Sequence, residues 1–458
     1  MKQFSLSVNF SVFVLFFVMV CSTLFLVETV WGADLPGNPS AIYIQRTMKA
    51  MEESTAENPA KIRILFYGQS IVAQQWTGLV QNYLKEKYPT VQFEFANKAI
   101  GGYQSESLIR TAESDLYPWY PDLLFFHVYG STEKYEQIVK KVRSETTAEI
   151  VLWTSHLSAA QDPKAMAEKR DQRSLDILAI AERNKCMVID LNQKWIQLLL
   201  DNNWSAQELL GDSVHLKQKG CEYYAQFIEE ELVRIPSTAG DPTVSGTIQT
   251  VSASDPVVKR NSDGIIQLSF SGNRVVAVSS GKGMSNAQAS ILLDGKPVSE
   301  YKELWSFTRP TTGPCWMPAL NCVAWEKPLV KEDWVLTAIE GTQKDGSRIH
   351  FKVTGSVTGD DGEGWSDERF VSPSGRCILE PSDFGCVWQY KYFKKEVPDN
   401  FQIKWSAYPL FADPYTSKEA GQQTVLVQNC ENAPHTLTIL PKEGAPGIES
   451  FIIYSPAK

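Results

Sequence analysis

The sequence predicts an α/β domain followed by an all-β domain, and three observations carry that prediction. Between residues 61 and 235, short apolar runs alternate with stretches of helical spacing. Beyond residue 245 the hydrophobic period shortens to strand-like alternation, punctuated by turn residues. Between the two, Ser237-Thr238-Ala239-Gly240-Asp241-Pro242 is a run of structure breakers. The expected architecture is a three-layer α/β sandwich with a parallel, flavodoxin-like sheet over residues 41–236, then a jelly-roll-like β-sandwich over 245–458.

The chain begins with a targeting segment, residues 1–32. Lys2 is its one early positive charge, Val8 to Val30 is almost wholly apolar, and Val30-Trp31-Gly32 offers a cut after Gly32. The apolar stretch is long for a signal, which keeps an uncleaved membrane anchor as the alternative. Cys21 follows Val18-Met19-Val20 and lacks the small neighbour of a lipidation site. The mature protein is therefore expected to be secreted or periplasmic, or anchored by this one segment.

In the first domain Ile62–Tyr67, Val91–Asn97, Leu123–Tyr129, Ile150–Ser155 and Met187–Leu191 read as strands. They are nearly continuous in apolar residues, as strands covered on both faces must be. Residues 71–88, 103–116, 134–144, 166–184 and 218–234 carry helical spacing. Strand and helix alternation implies right-handed crossovers, and in such sheets the functional site lies beyond the carboxyl ends of the strands. In the second domain Ile265–Phe270, Arg274–Val278, Ala289–Leu293, Ile349–Val353, Phe401–Ser406, Gln423–Val427 and Thr436–Leu440 alternate. Ser271-Gly272-Asn273, Asp294-Gly295, Lys344-Asp345-Gly346 and Asp360-Asp361-Gly362 read as the turns between strands.

The composition excludes some functions. With a net charge of −9 and no basic stripe, the chain is not expected to bind nucleic acid. No CxxC occurs and there are only five histidines, so neither a metal nor another cofactor is expected. Seven cysteines follow the targeting segment. Cys315/Cys322 and Cys377/Cys386 are spaced to close short loops in an exported protein, whereas Cys186 and Cys221 sit in apolar or helical surroundings as buried thiols. Seven of the thirteen tryptophans fall in the second domain. Most are expected in its core, with Trp316 and Trp365 the candidates for exposure and for stacking on sugar rings.

The chemistry sits in two short motifs. Gly68-Gln69-Ser70 follows the first strand and precedes a helical stretch, so a hydroxyl lies at a strand-to-helix turn where backbone N–H groups are free. Asp212-Ser213-Val214-His215 places an acid and an imidazole on one loop. Together they supply a nucleophile, a base and a group to orient the base. Each also has a plainer reading: Ser70 and Asp212 as helix caps and His215 as a surface residue. His127, inside an apolar strand, reads as a core histidine, His156 as a loop residue that either lines the pocket or is passive, and Asn97 as a turn stabiliser.

These motifs occur in an order, spacing and strand context that resembles the SGNH/GDSL hydrolase family over roughly residues 61–235. Gly68-Gln69-Ser70 matches the first family block with Gln for Asp. Asn97-Lys98-Ala99-Ile100-Gly101-Gly102 matches the second, and Asp212 with His215 matches the last. The third block departs, because Gly130-Ser131-Thr132 stands where the family carries an Asn that completes the oxyanion hole. The resemblance implies Ser70 as nucleophile, His215 as base and Asp212 as orienting acid. The oxyanion hole would comprise the Ser70 and Gly102 N–H groups, with Ser131 at the position of the Asn. The expected activity is hydrolysis of acyl esters, acetyl first, on an acylated polysaccharide or oligosaccharide. The alternative is a non-catalytic glycan-binding protein whose first domain is degenerate.

Overall fold

The structure, a computed structural model, describes residues 37–235, 243–281, 287–416, 418–444 and 446–457. Residues 1–32, expected as a targeting segment, and the breaker run Ser237–Pro242 lie outside the described residues. Every element below belongs to one compact unit, Ser40–Lys458.

Five parallel strands form the first sheet: β1 (Lys61–Gly68), β2 (Gln92–Asn97), β3 (Leu123–His127), β4 (Glu149–Trp153) and β5 (Met187–Ile189), in the order β2-β1-β3-β4-β5. β3 and β4 are buried at every position, which is why their apolar runs are continuous. Successive residues of β1 feed opposite faces: Ile62, Ile64 and Phe66 join one core cluster, Leu65 and Tyr67 the other. Helices α1 (Gln45–Glu52), α2 (Trp76–Lys87), α3 (Ser105–Asp115), α4 (Thr132–Glu145), α5 (Pro163–Glu168), α6 (Gln172–Arg183), α7 (Leu191–Asp201) and α8 (Gln218–Glu229) cover the sheet. The chain leaves β1 toward β2 on one side and returns to β3 on the other. The strand order therefore reverses at β1, and a crevice opens beyond the carboxyl ends of β1 and β3.

The departures from the sequence reading have local causes. The expected helix over 166–184 is two helices, because Asp171 caps a fresh start by accepting from Ser174 N. The helix expected from residue 71 begins at Trp76, after a run of tight turns through residues 70–74. α7 was not expected at all, since β5 is only three residues long and hands over to it directly.

The second half is antiparallel, as the alternation predicts. One sheet runs β10 (Lys296–Pro297), β9 (Gln288–Leu293), β19 (Gln423–Glu443), β8 (Ile266–Ser279), β20 (Ile448–Ser455) and β6 (Thr247–Ser252). β18 (Tyr415–Thr416) pairs with β9, and β7 (Val258–Arg260) with β8. The other sheet runs β11 (Trp305–Phe307), β17 (Gln402–Pro409), β12 (Glu332–Ala338), β13 (His350–Gly355) and β14 (Gly359–Trp365), and a short pair joins β15 (Phe370–Val371) to β16 (Ile378–Leu379). Each large sheet has its own apolar cluster, and α9 (Gly385–Phe393) packs into the cluster of the five-stranded one. Two expected turns are strand instead. β8 runs straight through Ser271-Gly272-Asn273, with its partner β19 shifting register between Gln428 and Ala433 opposite. Asp360-Asp361-Gly362 lies inside β14.

None of the seven described cysteines forms a disulfide, which corrects the two short-loop pairings. Cys322 is buried near Arg110 and Asp383, and Cys377 donates its backbone N–H to Ser372 in the β15–β16 turn. Cys186 and Cys221 are buried thiols. Among the described residues, no helix is long and apolar enough to cross a membrane.

Candidate active site

β1 ends at Gly68, whose backbone passes so close to β3 that a Cβ there would run into the carbonyl oxygen of His127. Gln69 then turns the chain. It is 2% exposed, its Oε1 accepts the Ile71 N–H at 2.6 Å, and its Nε2 faces His127 Nδ1 at 3.3 Å. The local capping job thus falls to Gln69, whose Oε1 lies at a long 3.5 Å from the Ser70 hydroxyl, and the serine has a nearer partner.

That partner is His215. Ser70 Oγ lies 2.9 Å from His215 Nε2, and His215 Nδ1 lies 2.7 Å from Asp212 Oδ2. A carboxylate only accepts, so Nδ1 carries the imidazole proton and Nε2 is left to accept from the serine. The second Asp212 oxygen accepts the backbone N–H groups of Val214 (2.8 Å) and His215 (2.7 Å). Those backbone bonds, followed by the imidazole itself, hold the Asp212 carboxyl down to about 2, so it is ionised wherever the protein works.

Two contacts clamp the Asp212–His215 loop to the sheet, and sequence reasoning missed both. Gln74, in the turns after Ser70, donates to Leu216 O and accepts from Leu216 N, each at 3.1 Å. His156 donates from Nε2 to Val214 O at 2.7 Å. Burial pushes the His156 imidazole down to about 4, so it serves as a neutral donor beneath the loop and does not line the crevice. Gln74 gave no signal because a glutamine in a polar turn carries no periodicity. His127 is a core histidine: it stacks on Trp153 at 5.4 Å, its Nε2 faces Ser155 Oγ at 3.0 Å, and burial holds its pKa well below the ordinary value.

The loop after β2 brings up the glycines. Asn97 braces it, donating to Val72 O (2.8 Å) and Thr77 Oγ1 (3.2 Å) and accepting from Ala99 N (3.1 Å). Ile100 N donates to Gly68 O at 2.9 Å, which sets Gly101 against Ser70. Gly102 follows at φ +78°, a conformation that favours glycine. Ser131 is placed differently from its expected role. It caps α4, its Oγ accepting from Lys134 N at 3.2 Å and its N–H donating to Glu106 Oε1 at 3.0 Å. The capping bond uses a lone pair of the hydroxyl and turns this short side chain toward its own helix.

The second half walls this site. Trp316 and Met317 pack against Gly102, and a Cβ placed on Gly101 would be 3.9 Å from both Ser70 Cβ and Trp316 Cζ2. A cleft of about 410 Å³ opens here between Ile100, Gly101, Arg309, Thr312, Trp316 and Met317. A larger cavity, about 700 Å³ and lined by Asp294, Tyr301, Cys430 and His435, lies elsewhere; neither cavity is lined by Ser70, Asp212 or His215, but the smaller one includes Gly101, which sits against Ser70. Among the described residues no group of His, Cys, Asp or Glu side chains is arranged to hold a metal ion.

No family model matches the chain, and no curated protein does. Among solved structures, the chain is similar to a two-domain esterase active on acetylated mannans, with a TM-score of 0.36 and 14% identity, covering 90% of this chain and 96% of that one. It is also similar to an acetylxylan esterase of Geobacillus stearothermophilus (TM-score 0.34, 19% identity, 39% and 98% covered). A further acetyl xylan esterase gives a TM-score of 0.33 at 22% identity, with 38% and 100% covered.

What Ser70, His215 and Asp212 can do chemically follows from their geometry. The imidazole can take the serine proton as the oxygen attacks a carbonyl, and return it to a departing alkoxide. Asp212 holds the required tautomer and steadies the imidazolium that forms.

Proposed function

We propose that the protein is a serine esterase that removes small acyl groups, acetyl first, from a polysaccharide or oligosaccharide. Ser70 is the nucleophile, His215 the general base and acid, and Asp212 the orienting carboxylate. The observation that carries this reading is the unbroken chain of contacts from Ser70 Oγ through His215 to Asp212, at 2.9 and 2.7 Å. Ser70 Oγ attacks the ester carbonyl while its proton passes to His215, and the backbone N–H groups of Ser70 and Gly102 receive the oxyanion. Collapse expels the sugar alkoxide, which takes the proton from His215. Water, deprotonated by the same imidazole, then releases the acid and restores Ser70.

A short loop carrying Gly101 and Gly102 beside Ser70 suits a small acyl group, and the exposed Trp316 beside it suits a sugar ring. With the targeting segment, these features support action on glycans outside the cell. The test is hydrolysis of p-nitrophenyl acetate, and acetate release from acetylated glycans, by the wild-type protein and its Ser70→Ala variant. Equal background rates from the two proteins would sink the reading. The rival, a glycan-binding protein without chemistry, draws on the missing Asn, in whose place Ser131 caps a helix. Glycan retention without any acetate release would favour it.

A further inference from the structure

The exposed apolar side chains of the described residues fall into two kinds. Leu175, Val257, Val357 and Val371 are scattered aliphatics, whereas the rest are aromatic and contiguous. Trp316 is 67% exposed, Trp388 51%, Tyr392 66% and Phe393 39%. Their rings form a chain: Trp316 meets Phe393 edge-on at 5.9 Å, Phe393 meets Tyr392 edge-on at 5.0 Å, and Tyr392 stacks on Trp388 at 5.1 Å and 20°. Four large aromatics exposed side by side cost solvation, and core packing does not explain them.

One end of this chain is the candidate active site. Trp316 contacts the Gly101–Gly102 loop and borders the 410 Å³ cleft there. On its other side Trp316 borders a second hollow of about 220 Å³, shared with Tyr390, Phe393 and Lys395. The indole therefore stands between the two, and the aromatic path leads from it along α9. It is also held in place. Gln389, buried on the inner face of α9, accepts the N–H groups of Trp316 (3.2 Å) and Met317 (2.8 Å) and donates to Met317 O (3.3 Å) and Pro318 O (3.2 Å). Tyr103, one residue past Gly102, donates to Asn321 Oδ1 at 2.6 Å and fixes the far end of the same loop.

We propose that Trp316, Phe393, Tyr392 and Trp388 form a glycan-stacking strip that takes the unacylated sugar units next to the one held at Ser70. This extends the esterase reading to a substrate class, a linear chain of pyranose sugars. The chemistry fits that occupant. A pyranose presents a flat C–H face to an aromatic ring and hydroxyls at its rim, and the strip is flanked by the exposed Lys391, Lys394, Lys395 and Glu396. Tryptophan, tyrosine and lysine also suit a lipid–water interface, but the strip runs on from Trp316 at the Gly101–Gly102 loop beside Ser70, which favours an extended substrate, and the vesicle arm of the test below checks the other occupant. Rings already packed on one another also lose less side-chain entropy on taking a chain than isolated ones would.

The test separates binding from catalysis by using the Ser70→Ala protein. Its affinity is measured by calorimetry for unacylated β-1,4-linked xylo-, manno- and cello-oligosaccharides, from disaccharide to hexasaccharide. Affinity for at least one series is expected to rise with chain length. Trp388→Ala and Tyr392→Ala, added singly, should each weaken the longest member about tenfold and flatten that rise. Both side chains are surface residues, and near-ultraviolet circular dichroism checks that each variant keeps its fold. Affinity that ignores chain length in every series, or a rise that persists in both variants, overturns the proposal. So does sedimentation with phosphatidylcholine vesicles that is lost in the same variants. Ester hydrolysis by the wild-type protein is scored separately, so an inactive triad and an idle strip give different results.

Discussion

His156 donates its Nε2 proton to the carbonyl oxygen of Val214 across 2.7 Å, so a buried imidazole holds up the loop that carries Asp212 and His215. No other hydrogen-bonding side chain reaches that carbonyl among the described contacts, whereas the neighbouring Ser213 carbonyl is taken by Ala159 N at 2.9 Å. Replacing His156 with Phe keeps a ring but removes the donor and leaves Val214 O unpaired. A loop free to shift by a fraction of an ångström misplaces His215 relative to Ser70. The expected result is a fall of about tenfold or more in kcat on p-nitrophenyl acetate with KM little changed. An unchanged kcat would show that Gln74 alone suffices to seat the loop.

The same burial makes the fold sensitive to acid. His156 takes up a proton only near pH 4 in the folded protein, against about 6.5 in an unfolded chain. Between those values the unfolded state binds the extra proton, so stability is lost as pH falls through that window and the loss levels off below it. His127, held well below its ordinary pKa by burial, adds in the same direction. The contribution of His156 is on the order of 3 kcal/mol. Urea midpoints measured from pH 7 down to about pH 4 should therefore fall less steeply in His156→Phe than in the wild type. Parallel curves would refute the assignment of the acid loss to His156.

Asp212→Asn separates charge from position. The amide oxygen can still accept the Val214 and His215 N–H groups that the carboxylate accepts at 2.8 and 2.7 Å, so the loop should keep its shape. What is lost is the acceptor facing His215 Nδ1, and with it the tautomer that leaves Nε2 open to Ser70. The expected cost is about 10²–10⁴ in kcat, with an unfolding midpoint close to wild type. Since Asp212 is ionised down to about pH 2, this carboxylate should not set the acid limb of the wild-type rate. A loss of only a few-fold would mean that Asp212 is chiefly a loop anchor.

How far the sequence foretold this depends on whether a residue's job was local or distant. The five parallel strands were legible because burial on both faces forces continuous apolar runs, and their ends fell within about two residues of the runs read. Ser70, Asp212 and His215 were legible as short motifs in order. Gln74 and His156 were not, because each acts on a loop far along the chain through a backbone atom that any residue could supply. The Ser271-Gly272-Asn273 stretch misled for a similar reason. Its glycine is required by the close approach of the Tyr454 carbonyl on β20, and turn chemistry looks the same on paper. Trp388 escaped notice because a tryptophan inside a short helix reads as core, and only packing shows which face is covered. Trp365, expected exposed, is half-buried between His350, stacked at 4.1 Å, and Arg348, 4.0 Å above its ring.

Ser131→Ala decides whether the oxyanion hole has a third member. As the cap of α4, Ser131 accepts from Lys134 N, and losing that bond should cost about 1 kcal/mol of stability. A donor to the oxyanion would instead show as a loss of about 10²–10³ in kcat. The capping geometry leads us to expect the first outcome, with kcat within about threefold of wild type. A hundredfold drop in kcat at unchanged stability would restore Ser131 to the hole.

The stacking strip can serve the triad only if the second half stays docked on the first, and one ion pair bears directly on that. Arg110, on the helix that follows the Gly101–Gly102 loop, is bound in fork fashion by Asp383, at 2.9 and 2.7 Å. Asp383 is 1% exposed and sits just before α9, which carries Trp388, Tyr392 and Phe393. Asp383→Asn keeps the volume but removes the charge, and Arg110 keeps partial access to water, so the expected loss is about 1–3 kcal/mol. Arg110→Met with Asp383→Leu, which removes both charges at once, should recover part of it, because no buried charge is then left unpaired. The comparison is made by urea unfolding of the two variants and the wild type. Equal stability of wild type and Asp383→Asn would show that the pair contributes nothing to docking, leaving that task to the other contacts between the halves, among them the Arg309–Asp115 ion pair at 2.7 Å and the Tyr103–Asn321 bond at 2.6 Å.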